Sequence, residues 1–300
     1  MRFNKIYFSL IIPLLFLACE NQPVKKAKTT TLTENFKGYW FQGKAEISSY
    51  KLEQARYGEI RKGEEILLFV TEDLSASKHQ KLDDPKANPG DAVKVLKMNR
   101  TKAFTTGIYP YNMMNSVFTP VELGKKEGTL RSSTSSQEWC GHSFTLIDLW
   151  KDEFEVQLHS YFIAEGDTQF TLGKTYLEDA IFNRIRINPE MLPQGEIEMI
   201  PGSFFQRFKH TDIKAEIAET KLTEKDSLSE YQIFYPELER TLRILFESKH
   251  PYRIELISEE YQDGGQMLKT TATRKATIQS DYWNKNSEKD TVLRKKLLLK

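Results

Sequence analysis

Apolar and polar positions alternate with a period of two along most of this chain, the signature of strands with one buried face. In "FEVQLHSYFI", Phe154, Val156, Leu158 and Phe162 share one side, while Glu155, Gln157 and His159 take the other. "RTLRILFESKHPYRIELISEEYQ" reads as a hairpin. Leu242, Ile244 and Phe246 alternate on one arm, and Tyr252, Ile254 and Leu256 on the other, around a turn near Ser248 and Pro251. Further strands are predicted at "KAEISSYKL", "EILLFVTE", "VKVLKM", "TTGIYPYNMMNSVF", "TLRSSTSS", "TQFTLG", "GEIEMI", "IKAEIAETKL", "YQIFY" and "MLKTTATRKATI". Gly, Pro, Asn and Asp separate them, as turns require. One segment changes period. "TYLEDAIFNRIRINP" sets Leu177, Ala180, Ile181 and Ile185 at helical spacing, with Thr175 as N-cap and Pro189 as terminator.

The pattern therefore predicts a mainly β, β-rich α+β chain: a large curved antiparallel sheet or half-barrel whose buried face wraps one notable helix. At the level of fold alone this is lipoprotein-carrier-like, and a fold does not fix an activity. A single β-rich domain is expected over residues 36–283, with the Pro-rich stretch near 189–203 as the place where two halves would divide. "DLSASKHQKLDDPKANPGD" reads as a long polar loop, and residues 284–300 as a charged, solvated tail.

The start of the chain changes the picture from fold to location. Arg2 and Lys5 precede a nearly all-apolar run over residues 6–18. That run is shorter than the ~20 residues a spanning helix needs, so residues 1–18 read as a secretory signal peptide. It ends at Ala18 followed by Cys19, which resembles a bacterial lipoprotein signal with Cys19 as the lipidated residue. Two acyl chains already give stable anchoring, so the resemblance implies a membrane partner through Cys19. Residues 19–35 hold almost nothing to bury and read as a flexible tether. No acidic run follows Cys19, and an outer-membrane position facing the periplasm is expected. Removing the leader takes Arg2 and Lys5 with it and leaves the chain close to neutral, from +1 for the whole. Nucleic-acid binding needs a basic patch and is not expected.

Of the two cysteines, only Cys140 remains beyond Cys19. It stands in "EWCGH". A cysteine nucleophile needs a lowered pKa and a base within reach. Cys140 and His142, two apart on a strand, would have Cα atoms ~6.6–6.8 Å apart, too far for direct contact without a bulge. His159 is the other candidate base. Trp139 beside the thiol favours a buried, inert cysteine, and free cysteine is among the most buried residue types. Burial is therefore the expectation, and a thiol hydrolase or transferase built on Cys140 with His142 or His159 is the alternative.

Other chemistry is thin. "SASK" at residues 75–78 lacks companion motifs and "LGKTY" lacks a phosphate-loop glycine. The 5 histidines are scattered without metal-ligand spacing, and neither metal nor cofactor is expected. Aromatic residues make up 12% of the chain, and Trp40, Tyr109, Tyr111 and Trp139 are candidates to line a site for an apolar or lipid-like ligand. "DSL" and "DTV" resemble the acceptor motif for O-glycosylation of exported proteins in the Bacteroidota, which would place glycans on Ser227 and Thr291.

The run "SSTSSQEWCGHSF", with "GIYPYNMMNSVFTPVEL" before it and "VQLHSYF" after it, resembles a family of exported lipoproteins of the Bacteroidota. Some members carry the label "septum formation inhibitor Maf". The S-x-S-P-R-R motif of Maf pyrophosphatases is absent here. The resemblance implies export and lipidation and supplies no catalytic residues. The resulting expectation is a non-enzymatic binding or envelope-maintenance module for an apolar or lipid-like ligand held on the concave face near the helix. The alternatives are the Cys140 enzyme and an envelope scaffold.

Overall fold

A computed structural model describes residues 32–124 and 128–299. The leader, Cys19 and the tether up to residue 31 lie outside the described residues. The first eight strands are β1 (Ala45–Arg56), β2 (Glu59–Ser75), β3 (Ala92–Thr106), β4 (Tyr109–Pro120), β5 (Arg131–Glu138), β6 (Gly141–Trp150), β7 (Glu153–Ser160) and β8 (Thr168–Gly173). The other seven are β9 (Tyr176–Leu177), β10 (Gly195–Ile200), β11 (Glu216–Thr223), β12 (Leu228–Tyr235), β13 (Arg240–Glu247), β14 (Ile254–Asp263) and β15 (Gln266–Ser280).

Together they form one 15-stranded sheet, curved and unclosed, in the order β8 to β1 and then β15 to β9. Each wing is a meander of neighbours in sequence. All pairs are antiparallel except the short β9–β10 contact. The wings join at a central seam where β1 pairs with β15, Ala45 opposite Ser280. The Pro-rich stretch 189–203 holds β10 and sits inside the second wing, away from the β1–β15 seam. The outer edges, β8 and β9, are linked by Lys174 and Thr175 alone. Three Cα steps hold the two strand ends within ~11 Å of each other. The sheet curls nearly into a barrel without a bonded closure.

Among the described residues four short helices accompany it: α1 (Glu34–Trp40), α2 (Ile181–Ile187), α3 (Ser203–Lys209) and α4 (Val292–Lys296). The expected single helix is shorter than its sequence pattern. Tyr176 and Leu177 pair with Met199 and Ile200 instead of starting it, and Thr175 donates its hydroxyl to Glu198 O at 2.6 Å rather than capping. α1 begins inside the predicted tether. Thr33 accepts from Phe36 N–H at 3.1 Å, and Phe36 and Trp40, four apart, bury one face. The tail also departs from expectation. Leu297 is buried against Ala45, Ile47 and Val70, and Leu297 O accepts from Ser49 Oγ.

α2 and α3 fill the concave side. Ile181, Phe182 and Ile185 are at most 1% exposed and join one core cluster with residues from both wings. Asn183 Nδ2 donates to Leu96 O at 3.0 Å and Val117 O at 3.2 Å, which fixes α2 on β3 and β4. Buried ion pairs complete the interior. Arg186 Nη2 meets Glu46 Oε2 at 2.7 Å. Arg240 bridges Glu178 at 2.6 Å and Glu259 at 2.8 Å. Arg100 meets Glu65 at 2.7 Å. Burial alone would raise the Glu46 carboxyl, but Arg186 outweighs it and holds it below its ordinary range. α2 and α3 thus occupy part of the concave side on which an apolar ligand was expected. Among the described residues no helix is long and apolar enough to cross a membrane.

Candidate functional site: the aromatic rim of hairpin tips

Antiparallel alternation places the β1–β2, β3–β4, β5–β6, β7–β8 and β14–β15 connections at one end of the sheet. The first of these tips is Tyr57 and Gly58, both in the left-handed region. A bulky residue there is uncommon and needs holding. Tyr57 OH lies 2.8 Å from Tyr111 OH, and Arg56 Nη2 donates to both hydroxyls at 3.0 and 3.2 Å. Arg56 Nη1 also donates to Phe208 O at 2.7 Å, so the tip is tied to α3. Gly58 lies against Gly264 of the β14–β15 tip, where a Cβ on Gly264 would come within 2.4 Å of Gly58 Cα.

From this anchor an aromatic run leads outward. Phe104 stacks on Tyr111 at 4.9 Å, Tyr111 meets Tyr109 at 5.8 Å, and Tyr109 meets Trp139 at 6.3 Å. Tyr111 is buried and Trp139 is 68% exposed. Three of the four aromatic candidates therefore come together. Trp40 does not join them: it is buried on the inner face of α1, 6.2 Å from Phe69, near the start of β1 at the opposite end.

Trp139 and Cys140 form a two-residue hairpin loop, since Glu138 pairs with Gly141. Cys140 is exposed, which corrects the expectation of a sealed thiol. The sequence reading placed Cys140 on a strand, whereas it is at the turn. Its backbone N–H donates to Glu138 Oε2 at 2.7 Å, and hydrogen bonding to Glu138 pushes the thiol pKa up. Neither histidine hydrogen-bonds it. His142 pairs across from Gln137, and His159 faces Asp167 at 3.5 Å. A nucleophile needs the opposite shift and a base in reach. The structure does not assemble the thiol dyad.

The last tip of the row is the β7–β8 loop. Tyr161 crosses over Gly141 so closely that a Cβ there would lie 2.5 Å from its ring. Phe162 turns inward beneath Arg207 (4.9 Å) and against His210 (5.2 Å). Glu165 accepts from Ser160, Arg207 and His210, the Arg207 contact being 2.8 Å. Burial opposes its charge, but these donors prevail and lower its pKa. The loop is thus fixed to the end of α3, with Tyr161 and Ile163 facing out. Behind it lies a small cavity of about 40 Å³ of mixed lining, with Thr134, Ser143, Ser203 and Gln206 beside Leu158 and Ile213. That volume suits a few waters and excludes an acyl chain.

Sequence reasoning missed Tyr57, Ile108, Tyr161 and Ile163. The signal it had was large apolar residues at turns, where Gly, Asn, Asp or Ser is usual. Ser227 and Thr291, the glycan candidates, are both exposed. No family model, curated protein or solved structure matches this chain.

Proposed function

We propose that the protein is a non-enzymatic binding module of the cell envelope, exported, anchored through Cys19 in the outer membrane facing the periplasm, and taking an apolar or lipid-like ligand at its aromatic rim. The observation that carries this reading is the run of ring contacts from buried Phe104 and Tyr111 through Tyr109 to exposed Trp139, which leads from the core to the surface. Exposed apolar patches on folded chains mark sites of interaction. The setting of Cys140, beside a carboxylate and without a histidine partner, favours binding over thiol catalysis.

The test is to purify the protein from its own envelope and measure non-covalently bound lipid by mass spectrometry. Lipid should accompany the native protein and fall several-fold in Tyr109→Ala and Trp139→Ala. A lipid-free native protein, or equal loads in all three, overturns the reading. Acylation is checked separately on the N-terminal peptide, which should carry its mass on Cys19 and lose it in Cys19→Ser.

A further inference from the structure

We infer that the rim of hairpin tips enters the interfacial layer of a lipid bilayer, side chains first. This rests on the reading above and names its partner. Among the described residues the four most exposed large hydrophobic side chains are Ile163 (99%), Ile108 (81%), Trp139 (68%) and Tyr161 (67%). All four stand on three successive tips at the same end of the sheet. Scattered exposed apolar residues need no explanation, but four gathered on one edge do.

Charge selects a bilayer over a protein partner. Residues 105–110, 139–142 and 161–164 contain no Asp, Glu, Lys or Arg, in a chain that is 28% charged. Protein interfaces favour Arg among their anchors and surround them with a polar rim. Hydrocarbon penalises every charge, and Trp and Tyr collect at the membrane–water boundary. The tips carry that composition: Ile at the points and Trp and Tyr beside them, the nearest loop charges being Glu165, which is engaged by Arg207 and His210, and Asp167, which faces His159.

The tips are also prearranged. Tyr57 is held by Tyr111 and Arg56, Tyr161 lies on Gly141, and Glu165 fixes the loop that carries Ile163. Docking therefore orders few side chains.

The topology sets an orientation. The chain enters β1 at Ala45, opposite Ser280, so α1 and Trp283 lie at the end away from the tips. Twelve residues of β1 separate the ends by ~40 Å. Trp139 (68% exposed) and Trp283 (45% exposed) thus report on opposite ends of the body.

The experiment reconstitutes the full chain into phosphatidylcholine vesicles with brominated acyl chains and reads tryptophan quenching. Trp139→Phe and Trp283→Phe assign the signal. Quenching should come from Trp139 and spare Trp283, and Ile108→Asp with Ile163→Asp should reduce it roughly tenfold or more. Quenching of Trp283 in place of Trp139, no quenching of either, or equal quenching in the double variant overturns the inference. Co-purified lipid with an unquenched Trp139 leaves the ligand reading standing and removes the bilayer. A quenched Trp139 on a protein that carries no lipid out of the envelope does the reverse.

Discussion

The interior beneath α2 and the rim of hairpin tips solve opposite problems with the same sheet. In the interior, charged groups are shut away from water and each is met by a partner: Arg186 by Glu46, Arg240 by Glu178 and Glu259, Arg100 by Glu65. At the rim, apolar groups are set in water and left uncovered. A buried ion pair is expensive to break and contributes little by being present. An exposed isoleucine on a turn contributes almost nothing to folding. The interior thus specifies the shape, and the exposed side chains Ile108, Trp139 and Ile163 are free to vary without harming it.

Four substitutions put that contrast to work, in falling order of effect. Arg240→Ala strands two buried carboxylates and should cost about 3–5 kcal/mol in urea unfolding. A loss under 1 kcal/mol would mean water reaches Glu178 and Glu259. Asp179 comes next. Burial, with Glu178 adding to it, pushes its pKa up to about 6 despite hydrogen bonds from Ser203. The folded state then holds a proton that the unfolded state releases near pH 4, so stability falls as pH rises from about 4 to about 6. The shift corresponds to about 3 kcal/mol. Asp179→Asn should flatten that slope, and an unchanged slope would place the titration elsewhere.

Gly63→Ala is the third. Its Cβ would sit 2.3 Å from Ala103 O and 2.7 Å from Phe104 Cβ, both close to backbone, and overpacking of this kind costs about 1–3 kcal/mol. Smallest is Ile163→Asp, which should move the unfolding midpoint by no more than about 0.5 kcal/mol. A larger loss would show that the rim is structural after all. Cys140 supplies a kinetic counterpart. Its exposed thiol should react with iodoacetamide in the native protein, slowly at pH 6 and faster toward alkaline pH. Fast labelling at pH 6 would return it to the list of nucleophiles.

Most of the strands were legible because alternation of apolar and polar residues survives in one-dimensional form. The misses were β6, with the nature of the Trp139–Cys140 turn, and the β3–β4 turn at Gly107 and Ile108, which the alternation of "TTGIYPYNMMNSVF" hides inside a single strand. The inward positions of β6 near the rim include Ser143 and Thr145, and the neighbouring strands offer Asn115, Ser132, Thr134 and Ser136 to the same region. A polar lining erases the pattern that marks a strand. The helix was legible in its apolar stripe and misjudged in length, because pairing of Tyr176 with Met199 overrode the helical tendency of the first turn. Leu297 had no periodic context to reveal its docking. The rim was out of reach for a different reason. Ile108, Trp139 and Ile163 are far apart in sequence, and only strand register and the shared end of the sheet bring them together.

The seam between β1 and β15 governs how the molecule is born. Ser48 and Thr277 exchange a hydrogen bond across 229 positions, whereas each wing is knitted from adjacent hairpins. Hairpins form in microseconds, and distant pairings wait on the whole chain. The first strand to emerge therefore stays half-paired until the last one arrives, with Tyr50 and Leu52 uncovered meanwhile. Such an unfinished centre leaves apolar surface and a strand edge open to aggregation until the chain is complete.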